Sequence, residues 1–319
     1  MLLYHRHRND EFISDTSHRG TTVFACRKPN SRSNRQNRAN VTAPTIDRLL
    51  ENNGWQCPLV SILVFLSPAT RWFPMAFYLV VGAAGGIGSC LCRRLVADDH
   101  RVMMLGRDES KLAALADELK QPFAVCDASD WDRLAEVTDQ AIEEFGTLDG
   151  AVNLAGSILL KPAHLTSKSD LQNVIEQNLV TAFGLIRSVA PKLKKAGGGS
   201  IVLMSSGGAA IGLTSHEAIA AAKAGVAAMA RAAAATYAAG GVRINTVAPG
   251  LVKTELTGRV WQNERSAEAS RAMHPLGRLG EPADIASLIA WLLSPEQTWI
   301  TGQDIAVDGG LSSIKSASR

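Results

Sequence analysis

Residues 77–88 read FYLVVGAAGGIG, and this stretch decides the fold. The apolar run 77–81 predicts a strand, and a helix is predicted directly after the glycines. Gly82 permits a tight turn, while Gly86 and Gly88 let backbone and helix approach a pyrophosphate closely. The helix N-terminus adds N–H donors and a positive dipole. This placement predicts a dinucleotide-binding turn, with plain turn glycines as the alternative.

The same alternation of strand and helix continues along the chain. Uninterrupted apolar strands separated by amphipathic helices indicate a parallel sheet covered on both faces. The predicted fold is therefore α/β, a Rossmann-type doubly wound parallel sheet that forms a single domain over residues 75–319. The further predicted strands are 102–105, 123–126, 150–154, 200–204 and 243–247, and the predicted helices include 91–97, 111–120 and 131–145.

Residues 1–74 differ in character from the rest of the chain. The tract from Arg27 to Asn40 is rich in Arg, Asn and Ser and has no apolar periodicity, which predicts disorder. The apolar run 59–66 is far shorter than the ~20 residues of a membrane span. We interpret 1–74 as a low-complexity, disordered N-terminal extension, for which a mis-assigned start ahead of Met75 is one explanation.

Composition narrows the possible partners. The chain has 319 residues, 46% hydrophobic and 20% charged, with a net charge of +3. So small a charge does not favour nucleic-acid binding, and no membrane partner is predicted. The cysteines are scattered without zinc-ligand spacing, so no metal site is expected. We interpret them as reduced cysteines in a cytoplasmic protein.

The end of the second predicted strand bears on the choice of cofactor. Gly106 stands where an acidic residue would bind the ribose hydroxyls of NAD. Glycine leaves room for a 2′-phosphate, and the guanidinium of Arg107 would pair with that phosphate. NADP is therefore favoured, and NAD stays possible. The alternative is that Arg107 is only a solvated loop residue.

From residue 75 onward the motifs resemble those of the short-chain dehydrogenase/reductase family and follow that family's order. The glycine turn resembles the motif TGxxxGIG, with Val81 in place of the threonine. The resemblance implies that Gly82, Gly86, Ile87 and Gly88 bind the cofactor.

Three further segments extend the cofactor site that the resemblance implies. Asp127, after the third strand, resembles the acidic residue that contacts adenine. Segment 153–156, NLAG, resembles NNAG, and segment 249–254 resembles PGxxxT, which contacts the nicotinamide end. The residues implied in these two segments are Asn153, Ala155, Gly156, Pro249, Gly250 and Thr254.

The resemblance also implies catalytic residues, with one departure. In the family a Ser orients the substrate carbonyl, a Tyr donates the proton, a Lys holds the nicotinamide ribose and lowers the Tyr pKa, and an Asn positions a relay water. Ser206, Lys223 and Asn178 match three of these, but Ile219 stands at the tyrosine position. Isoleucine cannot donate a proton, a step that typically contributes about 10²–10⁴ in rate.

His216 is our candidate for the missing acid. Thr214 to Glu217 reads as a capping box ahead of an alanine-rich helix from residue 218 to about 238. Positions 216, 219 and 223 would then share one helix face. Imidazole acts as acid or base near neutral pH, so His216 joins the catalytic candidates, with Glu217 as second choice. The alternative is a solvated or capping histidine.

Two classes of function remain open. The first is an NADP(H)-dependent oxidoreductase acting on a small-molecule carbonyl or alcohol with an altered proton donor. The second is a non-catalytic NAD(P)-binding regulatory or sensor protein. Ser206, Lys223 and Asn178 favour the first class, and Ile219 favours the second. The alanine-rich helix predicts a homodimer or homotetramer, because the equivalent helix often lies in the subunit interface of the family.

Overall fold

The chain divides into two compact units between Pro74 and Met75. The computed structural model describes residues 75–315, together with three strands of the first unit: β1 (Leu3–His7), β2 (Asp10–Thr16) and β3 (Thr22–Arg27). These strands pair antiparallel in the order β1-β2-β3 and differ from the predicted disorder at their three ranges. Residues 28–74 lie outside the described residues, so for them disorder stays a prediction.

The second unit is built on a seven-stranded sheet in which every neighbouring pair is parallel. Its strands are β4 (Phe77–Val81), β5 (Arg101–Gly106), β6 (Phe123–Val125), β7 (Gly150–Asn153), β8 (Gly199–Met204), β9 (Val242–Pro249) and β10 (Asp304–Val307). The strand order is β10-β9-β8-β7-β4-β5-β6, so the winding direction reverses between β4 and β7. Ligands of such sheets bind outside the carboxyl ends of the strands at this reversal.

Helices cover both faces of this sheet, which confirms the predicted Rossmann-type doubly wound fold. The helices are α1 (Gly86–Ala97), α2 (Glu109–Leu119), α3 (Trp131–Phe145), α4 (Lys168–Ile175), α5 (Thr181–Ala196), α6 (Gly207–Ile211), α7 (Glu217–Tyr237), α8 (Gly258–Trp261), α9 (Glu264–Met273) and α10 (Pro282–Leu293). One face packs against α3, α5 and α7, and the other against α1, α2 and α10, as their buried residues show.

Strand β4 shows how the sequence builds the two cores. Its side chains point alternately to opposite faces, as in any pleated strand. Leu79 belongs to one core cluster and Val80 to the other, and both are fully buried. Each such side chain stabilises the fold by about 1.5–3 kcal/mol through burial. The uninterrupted apolar run therefore follows from a strand that is covered on both sides.

Helix α7 is long and rich in alanine. With the turn that follows it, Glu217–Gly240, it is long and apolar enough to cross a membrane by length and composition, at a mean hydropathy of 1.3. However, Val226, Ala230 and Ala234 are buried in the core cluster shared with α3 and α5. We therefore interpret α7 as a core helix of the globular unit.

Candidate active site

The glycine turn after β4 has a backbone that other residues would not fit. Gly82 has φ +78° and donates its N–H to Leu105 O at 2.8 Å. A Cβ at Gly82 would lie 2.8 Å from Ala155 N, and a Cβ at Gly88 would lie 2.2 Å from Gly82 O. The contacts are to backbone atoms, which cannot swing aside. The turn thus brings the start of α1 and the end of β7 together at the reversal of the sheet.

The start of α1 has the hydrogen-bond donors that a pyrophosphate requires. Gly85 is the N-cap, and the first backbone bond of the helix runs from Ser89 N–H to Gly85 O at 2.8 Å. The N–H groups of Gly86, Ile87 and Gly88 precede this bond and have no acceptor inside the helix. Together with the helix dipole they form an anion site. The cradle fits a dinucleotide.

The segment after β9 lies across this turn. A Cβ at Gly86 would stand 2.9 Å from Thr254 Cγ2, so Thr254 packs against the bare glycine. The side chain of Trp261 donates to Thr254 O at 2.8 Å, and Thr254 N–H donates to Thr257 Oγ1 at 3.2 Å. The segment 250–254 is therefore held between the glycine turn and α8. Pro249 ends β9 and is paired in register with Val307.

The part of the site that follows β5 and β6 carries an exposed cation, Arg107. Arg107 Nη1 lies 3.8 Å from Asp127 Oδ2, and the Arg107 side chain is 64% exposed. Hydrogen bonds from Ser129 N–H and Oγ hold the pKa of Asp127 below its usual value. An exposed ion pair of this length stabilises little, so Arg107 is available to a phosphate. A Cβ at Gly106 would touch only Leu112, at 3.6 Å.

Asn153 fixes the backbone at the end of β7. The residue is 2% exposed, its Oδ1 accepts from Ala155 N–H at 3.0 Å, and its Nδ2 donates to Thr181 Oγ1 at 3.1 Å. Both amide atoms are thus occupied within the protein. Asn153 acts by shaping the 153–156 loop, which crosses the glycine turn at Ala155.

Asn178 lies in a π-helical turn, Glu176–Val180, between α4 and α5. π-Helical turns are rare in proteins, and those that occur frequently lie at functional sites. Its Nδ2 donates to Val174 O at 2.9 Å and to Ser157 Oγ at 3.1 Å, and its Oδ1 accepts from Ser157 N–H at 3.3 Å. Ser157 was not identified from the sequence, because only the fold shows that it faces Asn178.

Lys223 is brought close to this amide. A Cβ at Gly156 would lie 2.8 Å from Asn178 Oδ1 and 3.6 Å from Lys223 Nζ, so both groups border the same glycine. Lys223 Nζ also donates to Met204 O, the last residue of β8, at 3.0 Å. Burial of the ammonium lowers the pKa of Lys223 to about 8. The group can therefore exchange a proton near neutral pH.

Ser206 follows β8 and is the N-cap of α6. Among the residues that the structure describes, no hydrogen bond occupies its hydroxyl. The preceding Ser205 is different, since it is buried and its Oγ donates to Val247 O at 3.1 Å. Of the two serines, Ser206 is the one whose hydroxyl is free to bind a substrate oxygen.

Ile219 is part of an apolar cluster. It is 8% exposed and groups with Val174, Ala218 and Ala222, while Leu159 and Ile175 pack against this cluster. The position expected to carry the acid is therefore filled by hydrocarbon. It stands one helical turn before Lys223 on α7.

The predicted capping box at Thr214 is wrong. Helix α7 begins at Glu217, and His216 is the N-cap with φ −109°. Ser215 has φ +62°, which breaks the helical path before His216. The Glu217 carboxylate accepts from Ala163 N–H at 3.3 Å, a partner in the loop after β7. His216 thus precedes the helix face that carries Ile219 and Lys223, and its Nδ1 lies 2.8 Å from Thr214 O.

These features define a class of protein: a dinucleotide-binding Rossmann sheet with a polar Ser, Lys and Asn site at its carboxyl edge. The family model described as enoyl-(acyl carrier protein) reductase matches residues 82–312. D-threitol dehydrogenase of Mycolicibacterium smegmatis is 34% identical over 238 residues, covering 73% of this chain and 91% of that protein.

Solved structures agree with this relationship. A short-chain type dehydrogenase/reductase from Mycobacterium ulcerans is 30% identical with a TM-score of 0.73, covering 75% of this chain and 90% of that one. ElxO with NADP bound is 27% identical with a TM-score of 0.71, covering 76% and 100%. The chain belongs to the short-chain dehydrogenase/reductase family of NAD(P)-dependent oxidoreductases. The resemblance drawn from the motifs is thereby confirmed.

Proposed function

We propose that this protein is an NADP(H)-dependent oxidoreductase that acts on the carbonyl or alcohol group of a small molecule. The observation that carries the proposal is Lys223, which borders Asn178 across Gly156 and hydrogen-bonds to the strand end that precedes Ser206. A protein that only binds cofactor has no use for a free serine hydroxyl at this strand end. NADP is bound by the similar ElxO, and NAD remains possible here.

Each residue has a defined task in this proposal. The bound nicotinamide supplies or accepts hydride. The N–H groups at the start of α1 hold the phosphates, and the Ser206 hydroxyl donates a hydrogen bond to the substrate oxygen. Lys223 binds the nicotinamide ribose, while Asn178 and Ser157 order the polar end of the site. Donors aimed at a developing alkoxide stabilise the transition state most strongly in a dry site.

We propose His216 as the proton donor in place of the tyrosine. The Thr214 carbonyl engages Nδ1, which leaves Nε2 as the nitrogen available to a substrate. Lys223 is a second candidate, because its pKa of about 8 allows it to give up a proton near neutral pH.

The alternative function is non-catalytic cofactor sensing. The apolar cluster around Ile219 favours it, since isoleucine supplies no proton at this position. NADPH oxidation measured over a panel of aldehydes, ketones and quinones separates the two functions. Turnover that a Lys223→Met variant loses supports the oxidoreductase, whereas tight NADPH binding without turnover on any substrate supports the sensor.

Replacing His216 with alanine tests the proton donor. We expect kcat for carbonyl reduction to fall by about 10²–10⁴, the usual contribution of a positioned acid. The dissociation constant for NADPH should stay constant, because His216 lies at the N-cap of α7 and is not part of the glycine turn after β4. The exposed His164, replaced in the same way, is the matched control. A full rate in His216→Ala, with a rate that falls as pH rises through about 8, would assign the proton to Lys223.

Replacing Arg107 with alanine tests the cofactor. A charge-assisted hydrogen bond contributes about 1.5–3 kcal/mol, so NADPH should bind roughly 10–100-fold more weakly. NADH lacks the 2′-phosphate, and its dissociation constant should change little. Arg94, which is exposed on α1, serves as the control for loss of a positive charge. Equal weakening of NADPH and NADH binding would contradict the prediction that Arg107 binds the 2′-phosphate.

We also propose that the protein is a cytoplasmic homodimer or homotetramer assembled through α7. The helix presents a stripe of exposed small residues, and small residues allow close helix packing. A monomer mass by light scattering, at concentrations used for assay, would contradict this assembly. The stripe consists of Ala221, Ala224, Ala228, Ala232 and Ala235.

A further inference from the structure

His274 joins two parts of the molecule that lie far apart in sequence. It follows α9 directly and is 3% exposed. Its Nδ1 lies 2.6 Å from Ser270 O, in the last turn of α9. Its Nε2 lies 3.1 Å from Leu251 N, in the segment after β9.

The two partners determine the protonation state of the imidazole. A backbone carbonyl only accepts, so Nδ1 carries a hydrogen and donates it to Ser270 O. A backbone amide only donates, so Nε2 presents its lone pair to Leu251 N–H. His274 is therefore the neutral Nδ1–H tautomer with both ring nitrogens satisfied. A buried group with two such bonds is held in one orientation.

The surrounding backbone leaves a slot for this ring. A Cβ at Gly250 would lie only 2.6 Å from His274 Nε2 and 3.0 Å from Asp308 Cα. Glycine at position 250 thus makes room for the imidazole. On the other side, a Cβ at Gly309 would lie 3.6 Å from His274 Cβ. The ring fills the space between the segment after β9 and the turn after β10.

Leu251 links this ring to the cofactor cradle. It lies three residues before Thr254, whose methyl group packs on Gly86 in the glycine turn. The segment is also tied at Gly280, which donates to Leu251 O and accepts from Lys253 N–H, each at 2.9 Å. Its ends are held by the hydrogen bonds of Thr254 described above and by Gly250 N–H, which donates to Val307 O at 3.2 Å. Among the hydrogen bonds of the part of the chain that the structure describes, the His274 bond is the one that joins this segment to the end of α9. A shift of α9 would therefore move the residues that cover the phosphate site.

We propose that His274 is a positioning residue, which holds segment 250–254 over the cofactor phosphates and so couples the position of α9 to cofactor affinity. It acts through the Leu251 backbone and touches neither substrate nor cofactor. The part of the proposal that concerns affinity rests on the proposed binding of NADPH.

Three variants of the full-length protein test it: His274→Gln, His274→Asn and His274→Leu. Glutamine places an oxygen near the position of Nε2 and can accept from Leu251 N–H. Asparagine is shorter, reaching Ser270 O but not Leu251. We expect hydrogen exchange of the peptide covering 250–254, without cofactor, to be near wild type in the Gln variant and at least 10-fold faster in the Asn and Leu variants.

The dissociation constant for NADPH, followed by its fluorescence, should show the same order. We expect the Asn and Leu variants to bind NADPH at least 10-fold more weakly than the wild type. The Gln variant should bind it with an affinity closer to that of the wild type. Equal rates of hydrogen exchange in the Gln and Asn variants would overturn the proposal. An altered exchange rate with an unaltered dissociation constant for NADPH would overturn it as well. If the Leu variant does not fold, the comparison between the Gln and Asn variants still tests the proposal. If the wild type does not bind NADPH, the proposed function fails, and the exchange data alone decide whether His274 holds the segment.

Discussion

An Ile219→Tyr substitution made in the His216→Ala variant should raise the rate of carbonyl reduction about 10²–10⁴-fold over His216→Ala alone, measured as kcat/KM with NADPH. A phenol at this position would supply the proton that isoleucine cannot, and a positioned acid contributes a factor of that size. Lys223 stands one helical turn further along α7, and its pKa of about 8 suits it to exchange a proton with the phenol. The rest of the polar site is already present.

The new ring also has a packing cost. Ile219 is 8% exposed within the cluster that contains Val174, with Leu159 against it. A larger side chain in a packed site typically lowers the free energy of unfolding by about 1–3 kcal/mol. We therefore expect a lower melting temperature together with the higher rate. The two effects can be measured separately, because the rate is measured on the folded enzyme at a temperature below its melting temperature.

Ile219→Phe is the matched control, since it adds the ring without the hydroxyl. Made in the same His216→Ala background, it should melt like the tyrosine variant and turn over no faster than His216→Ala alone. An equal rate gain in both variants would show that the ring shape, and not a proton, limits the reaction. No gain from the tyrosine on a confirmed substrate would show that a donor other than His216 already serves.

Replacing Gly88 with alanine is expected to weaken NADPH binding at least ~100-fold, a loss of about 2.7 kcal/mol or more. The added Cβ would lie 2.2 Å from Gly82 O and 2.8 Å from Ala83 O, so the turn and helix α1 must separate. The N–H groups that hold the phosphates would move with them. Cofactor titration by fluorescence measures this loss.

The same substitution should also destabilise the apoprotein. Alanine favours a helix over glycine by about 1 kcal/mol, but the clash with backbone atoms costs about 1–3 kcal/mol and outweighs it. Gly258→Ala is the control, because a Cβ there would meet nothing closer than 3.5 Å, at the flexible Gln262 side chain. Unchanged NADPH affinity in Gly88→Ala would contradict the role of the turn.

Much of the fold could be predicted from local patterns in the sequence. The strand at 77–81, the glycine turn and the helix after it follow from residue types a few positions apart, and the structure places β4 and α1 accordingly. The helix 131–145 has the predicted bounds because its apolar periodicity is strong. Strand β10 was not predicted, since its four residues carry too little pattern of their own.

The site was predictable only in part, for a physical reason. Thr214 and Glu217 have the spacing of a capping box, yet Glu217 binds Ala163, 54 residues earlier in the chain. A local rule cannot anticipate a better partner brought in by another loop. Ser157 and His274 were missed for the same reason, because their partners are distant in sequence.

The family and the parallel sheet could be predicted from the sequence alone. Those properties depend on which residues are present and on their order. Only the tertiary structure decided that Lys223 borders Asn178, that Ile219 packs in an apolar cluster and that His274 bonds to Leu251. These contacts arise when helices and loops distant in sequence pack on one sheet, so burial and hydrogen-bond geometry determine them.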